Sequence, residues 1–177
     1  MSVRKDQRKE GVMAVLVSVR ALAKYTLTIC KSEKRFPKRD RWIITDKIVK
    51  HALKAAVCAD KANDVKVEDW DDYLRRRRLQ KKALKAIRGI ITLKQIAYET
   101  LPSVRADDID EKQDVEAFER VKKEIDQSFT KNGYKPPIIE EQKKDPMEYW
   151  TGLCIDARAR LRKWRDSEKQ DKDTFKP

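Results

Sequence analysis

Residues 70–101, WDDYLRRRRLQKKALKAIRGIITLKQIAYETL, run for 32 positions without a proline and with a single glycine, Gly89. A helix of that length rises close to about 50 Å at 1.5 Å per residue, longer than a small globular domain usually needs. Other segments must therefore pack along it. Its second half carries Ala83, Ile87, Ile90, Leu93, Ala97 and Leu101 in steps of three and four, which line one helical face. Its first half is different: Arg75, Arg76, Arg77, Arg78, Lys81, Lys82, Lys85 and Arg88 place positive charge almost all the way round. One end reads as built for burial and the other for meeting an anion.

The remaining segments read as companions of this rod. Residues 11–32 form helix one, with a stripe of Val12, Leu16, Val19, Ala23, Thr26 and Cys30 widened by Val15, Leu22, Leu27 and Ile29. About twenty unbroken residues favour helix over strand despite the β-branched content. A basic linker at 34–41 follows, where Pro37 makes Phe36 a boundary. Helix two covers 39–62 on Ile44, Ile48, Ala52 (or His51), Ala55, Ala59 and Ala62, an alanine-rich stripe that implies a close neighbour with larger side chains. Asp69, Asp71 and Asp72 put acid at the start of helix three, as its dipole prefers.

Leu101-Pro102-Ser103 ends that helix, and 104–144 reads as an insertion. The insertion holds a short charged helix over 109–129, with Val115, Phe118, Val121, Ile125 and Phe129, before Asn132-Gly133 and Pro136-Pro137 break it. Asp145, Pro146 and Glu148 make a helix start. Met147, Trp150, Cys154, Ala157, Leu161 and Trp164 then alternate steps of three and four, a heptad seam. The expected fold is all-α: an antiparallel four-helix bundle with a partly helical insertion between helices three and four. Its parts are helices one to three in 1–101, the insertion in 102–144, the fourth helix in 145–168 and a polar tail in 169–177.

Charge narrows the function. The chain of 177 residues has 43 Lys and Arg against 30 Asp and Glu, a formal net charge of +13. The first 101 residues hold 26 of the basic and 12 of the acidic groups, so the basicity belongs to helices one to three. Such a chain seeks polyanions, nucleic acid or an acidic protein face. Residues 75–88 carry eight cations in 14 positions with no acid between them, so pairing within the helix cannot neutralise them. An ordinary solvated face is the plainer reading of any charge run; the missing acid weighs against it here. Lys38, Arg39 and Arg41 extend the patch if helices two and three are antiparallel neighbours. Arg158, Arg160, Arg162, Lys163 and Arg165 form a second, more diluted cluster.

Other chemistries find little footing. Trp42, Trp70, Tyr73, Trp150 and Trp164 are not interleaved with the basic run and read as packing residues, not stacking platforms. His51 is the only histidine and has no ligand-spaced companion, so neither a metal site, nor a cofactor, nor a catalytic triad is expected. Asp107-Asp108-x-Asp110-Glu111 lacks the glycine and the distal Glu of a calcium loop and reads as a solvated linker or a helix cap. Cys30, Cys58 and Cys154 show no C-x-x-C pair and read as small buried hydrophobes of a reducing cytosol. The charged first ten residues are not a signal peptide, and the longest apolar run, 12–17, is too short for a membrane span. A cytoplasmic protein with no membrane partner and no enzymatic activity is expected.

Several of these motifs occur together in one known family. A long first helix precedes Arg35-Phe36-Pro37-Lys38-Arg39, then Ile44-Thr45-Asp46-Lys47-Ile48-Val49 with an alanine-rich continuation, then a third helix containing Leu74-Arg75-Arg76-Arg77. Tyr149-Trp150-x-x-Leu153-x-Ile155-x-Ala157 follows in the last helix. This resembles the four-helix-bundle family of the accessory variability determinant of diversity-generating retroelements and of proteins encoded in ribosomal intervening sequences. The resemblance covers 13–101 and 146–167; the chain departs from the family in its long 104–144 segment, where the usual link is short. It implies a non-catalytic basic bundle, assembling as a homopentamer, that binds a reverse transcriptase and its template RNA and so supports mutagenic complementary-DNA synthesis. The residues read alone leave two alternatives: a stand-alone, sequence-independent binder of RNA or DNA, and a helical interaction protein with an acidic protein partner.

Overall fold

The computed structural model describes residues 5–105, 112–138 and 145–168, with side chains from Gly11 onward. Its helices are α1 (Lys5–Ile29), α2 (Asp46–Asp64), α3 (Trp70–Thr100), the single turn α4 (Pro102–Arg105), α5 (Lys112–Lys131) and α6 (Pro146–Ser167). A 3₁₀ turn (Lys38–Asp40) and a π-helical turn (Arg41–Thr45) lead into α2. There is no strand among the described residues. The protein is all-α, as its periodicities require.

The long rod forms as one helix of 31 residues. Asp69 caps it, its Oδ1 accepting from the Asp72 amide at 2.8 Å, which satisfies a donor the helix itself leaves unbonded. α6 starts as its sequence dictates: Asp145 Oδ1 accepts from the Met147 amide at 2.7 Å, with Pro146 at the first position.

Tertiary contacts fix the directions. α2 lies along α3 and runs opposite to it, since His51 near the start of α2 meets Gly89, and Val65 just after α2 accepts from Arg76. α6 opposes α1: Trp150 Nε1 donates to Thr26 Oγ1 at 2.9 Å, and Ser18 donates to Asp156 farther along α6. α6 opposes α3 as well, through Lys94 with Thr151 at one end and Gln80 with Glu168 at the other. α1 also packs against α2. The core runs through these helices on Leu16, Leu22, Ile29, Ile48, Ala52, Ala55, Ala59, Ala62, Ile87, Ile90, Trp150, Leu153 and Leu161, all buried. The six-residue seam of α6 is buried throughout, as is the alanine stripe of α2.

Four expectations need correction. The second helix does not start at 39: the 3₁₀ and π turns occupy 38–45, and α2 proper starts at Asp46. Trp42 is not a packing residue but 80% exposed, with Ile43 beside it at 67%. A π turn holds more residues per turn than an α-helix, and here Ile44 and Thr45 point inward while Trp42 and Ile43 face out. Val115 is exposed, whereas Phe118, Val121, Ile125 and Phe129 hold α5 to its neighbours. Lastly, Gly11–Ile29 is long and apolar enough to cross a membrane. Ser18, Arg20 and Lys24 break its apolar run, which hid its overall hydropathy. Two thirds of that window (67%) is buried within the fold, where it serves as a core helix. The Asp107 to Glu111 acidic motif lies outside the described residues.

The Arg35-Phe36-Pro37 motif has a structural part. Arg35 is buried and reaches the Val104 carbonyl at 3.5 Å, while Ser103 Oγ donates back to the Arg35 carbonyl at 2.9 Å. Phe36 stands edge-on to Trp150, ring centroids 6.3 Å apart. This ties the turn after α1 to α4 and α6.

Candidate polyanion interface

The eight cations of α3 divide into two groups. Arg76 and Arg77 are used inside the molecule. Arg76 pairs with Glu168 at 3.1 Å and donates to the Val65 carbonyl. Arg77 donates to the Arg165 carbonyl and lies 5.9 Å from the Tyr73 ring. Gln80, fully buried, donates to the same Glu168 at 2.8 Å. These contacts fasten the end of α6, whose last carbonyls lack helical partners, to the start of α3. Positive charge therefore does not surround the rod.

Arg75, Arg78, Lys81, Lys82, Lys85 and Arg88 are all exposed. Among the described residues none of these six lies within ion-pair distance of a carboxylate. At 100° per residue they occupy one arc of roughly 140°, opposite Ala83, Ile87 and Ile90 of the core. On the same outward arc farther along come Thr92, Ile96 and Glu99, all exposed, so the arc is basic only over its first half. Lys94 is turned inward, donating to Thr151 Oγ1 5.9 Å from the Trp150 ring. Burial pulls its pKa below the ordinary lysine value.

Lys38, Arg39 and Arg41 do not extend this arc. Because α2 and α3 run in opposite directions, the turn before α2 sits level with the end of α3, roughly 15 to 35 Å along the axis from the six cations. These three residues also have acidic partners: Glu33 lies 3.2 Å from Lys38 and 4.0 Å from Arg41, and Asp40 lies 3.4 Å from Arg39. The arginines of α6 are likewise partly engaged, with Arg160 on Asp156 at 2.8 Å and Arg165 on Asp166 at 2.9 Å.

The described helix of the acidic section does not pack on the basic arc. α5 packs on α1: Glu124 pairs with Lys24, Ser32 donates to Asp114 at 2.6 Å, and Glu119 takes Lys122 at 2.8 Å. Tyr25 joins Phe118 and Tyr149 in the apolar contact beneath.

A second row of cations was missed because it hides within an alanine-rich helix. Lys47, Lys54 and Lys61 recur every seventh residue of α2, with Lys50 beside them, and all four are exposed. A seven-residue repeat keeps one side of a helix and rises about 10 Å per step. His51 lies against Gly89 so closely that a Cβ there would stand 2.7 Å from the ring. Lys47 and Lys54 flank His51 at four before and three after, while Lys82 and Arg75 lie seven and fourteen before Gly89. Both rows therefore border the same groove between α2 and α3. Asp60 is engaged with Arg20, at 2.7 Å. The heptad spacing of lysine was the signal that could have found this row.

Cys30 and Cys154 are buried, and burial pushes each thiol up to about 12, which keeps them protonated and unreactive. Among the described residues no cluster of His, Cys, Asp and Glu could hold a metal ion. Neither a protein-family model, nor a curated protein, nor a solved structure matches the chain.

Proposed function

We propose that the protein is a non-catalytic nucleic-acid-binding accessory protein that grips RNA along the α2–α3 face. The observation carrying this reading is the set of six exposed α3 cations with no carboxylate partner among the described residues. Leaving so many like charges side by side destabilises the folded chain by self-repulsion, and phosphates offset that cost on binding by releasing condensed counterions. The finer reading is the retroelement role that the sequence motifs imply, with a reverse transcriptase as protein partner and a pentameric assembly. In that reading α1, α2, α3 and α6 are the antiparallel four-helix bundle and 102–144 is its insertion. The antiparallel contacts around these four helices and the fold-locking part played by Arg35 and Phe36 support it.

A salt titration with a fluorescent single-stranded RNA tests the binding claim. With six phosphate contacts, log affinity is expected to fall against log salt with a slope of about −4. A slope near zero, or no binding at 50 mM salt, would remove nucleic acid and leave an acidic protein face as the partner. Addition of the reverse transcriptase separates the accessory role from a stand-alone binder, whose affinity would not change.

A further inference from the structure

Trp42 stands 80% exposed on the π-helical turn that precedes α2, with Ile43 beside it. The turn is closed by the Asp46 amide bonding back to the Arg41 carbonyl, which fixes the backbone that presents the indole. Five residues on, Lys47 starts the heptad row that runs away from Trp42, through Lys54 to Lys61, toward the α3 arc. The row spans about 20 Å from Lys47 to Lys61. An open aromatic face thus stands at one end of a basic track.

We propose that Trp42 is a stacking platform for an unpaired nucleobase, so that the α2–α3 face prefers single-stranded over duplex nucleic acid; this rests on the nucleic-acid reading above. Every base offers a π-face, and stacking on an aromatic side chain adds affinity without reading sequence. In a duplex those faces are already stacked on each other, and only the phosphates remain for the lysines. Charge placement favours a strand over a lipid surface. The cations nearest Trp42 are held by acids: Lys38 and Arg41 by Glu33, Arg39 by Asp40. Three cations against two carboxylates leave little net positive charge around the indole, so an anionic membrane gains little attraction there. A strand draws its attraction from the lysine row farther along and needs only the open ring at Trp42.

The test compares wild type, Trp42→Ala and Trp42→Phe on four probes at one salt concentration: a uridine 20-mer, a 20-base-pair RNA duplex, heparin, and vesicles containing anionic lipid. Trp42→Ala is expected to weaken the 20-mer by about tenfold, the loss of one stacked base. Duplex and heparin binding should stay unchanged, as should helical circular dichroism, and Trp42→Phe should restore most of the loss. Equal loss on the 20-mer and the duplex, or no loss on the 20-mer while wild type binds it, overturns the stacking role and leaves the basic face standing. A wild type that binds neither RNA nor heparin overturns both. Vesicle binding lost by Trp42→Ala, with RNA affinity intact, overturns the proposal in favour of a lipid contact.

Discussion

Single residues decide how closely the two basic rows approach. Gly89 lies mid-helix, where glycine costs about 1 kcal/mol relative to alanine, yet its missing Cβ makes room for the His51 ring, 2.7–2.8 Å from where that carbon would sit. The ring is the end of a half-buried side chain and can turn aside, so two opposed effects meet at one position. Gly89→Ala alone is expected to change stability little. In a His51→Ala background it should stabilise by about 1 kcal/mol, the helix propensity then acting without the clash. Urea denaturation of the four variants checks this; equal effects in both backgrounds would show that His51 does not set the glycine. The same scale explains why counting cations along α3 overstated the patch. Arg76 and Arg77 look identical to Arg75 and Arg78 in sequence, but they meet Glu168 and the Arg165 carbonyl at the end of α6, and only the fold distinguishes them.

At the level of elements, alanine on α2 is what lets its helical partners come close. Ala52, Ala55, Ala59 and Ala62 are all buried. Ala59→Leu should overpack the interface and destabilise by about 1–3 kcal/mol, read as a lower urea midpoint with unchanged slope. No loss would mean the helices are free to move apart there. Much of this level was legible in the chain. Period alone located the α6 seam and the α2 stripe, and the Asp145-Pro146 start needed no tertiary information. What was not legible depended on register between distant segments. The π turn has no strong sequence signature, so Trp42 reads from the sequence as a packing residue. The level of Lys38 to Arg41 against α3 followed only once His51 met Gly89. The lysine row of α2 is readable in principle, being strictly heptad, although the alanine-rich buried stripe is the stronger signal in that helix.

Over the whole molecule, charge is sorted by helix. α5 sits on α1, with Glu124, Asp114 and Glu119 engaged by Lys24, Ser32 and Lys122, and among the described residues the groove between α2 and α3 is bordered by cations. This sorting, not the bulk charge of +13, is what the functional reading depends on, and two matched charge reversals separate them. Arg75, Arg78 and Lys82 changed to Glu alter the α3 face; Lys112, Lys123 and Lys131 changed to Glu alter α5. Each triple lowers the formal charge by two units per substitution. The direct measurement is the affinity of both triples and wild type for one fluorescent single-stranded RNA at 100 mM salt, with helical circular dichroism as the check on folding. The α3 triple is expected to weaken binding at least about thirtyfold and the α5 triple less than about threefold, since screening confines exposed charges to roughly 10 Å at that salt. Equal weakening by the two triples, or undiminished binding by the α3 triple, would contradict the account.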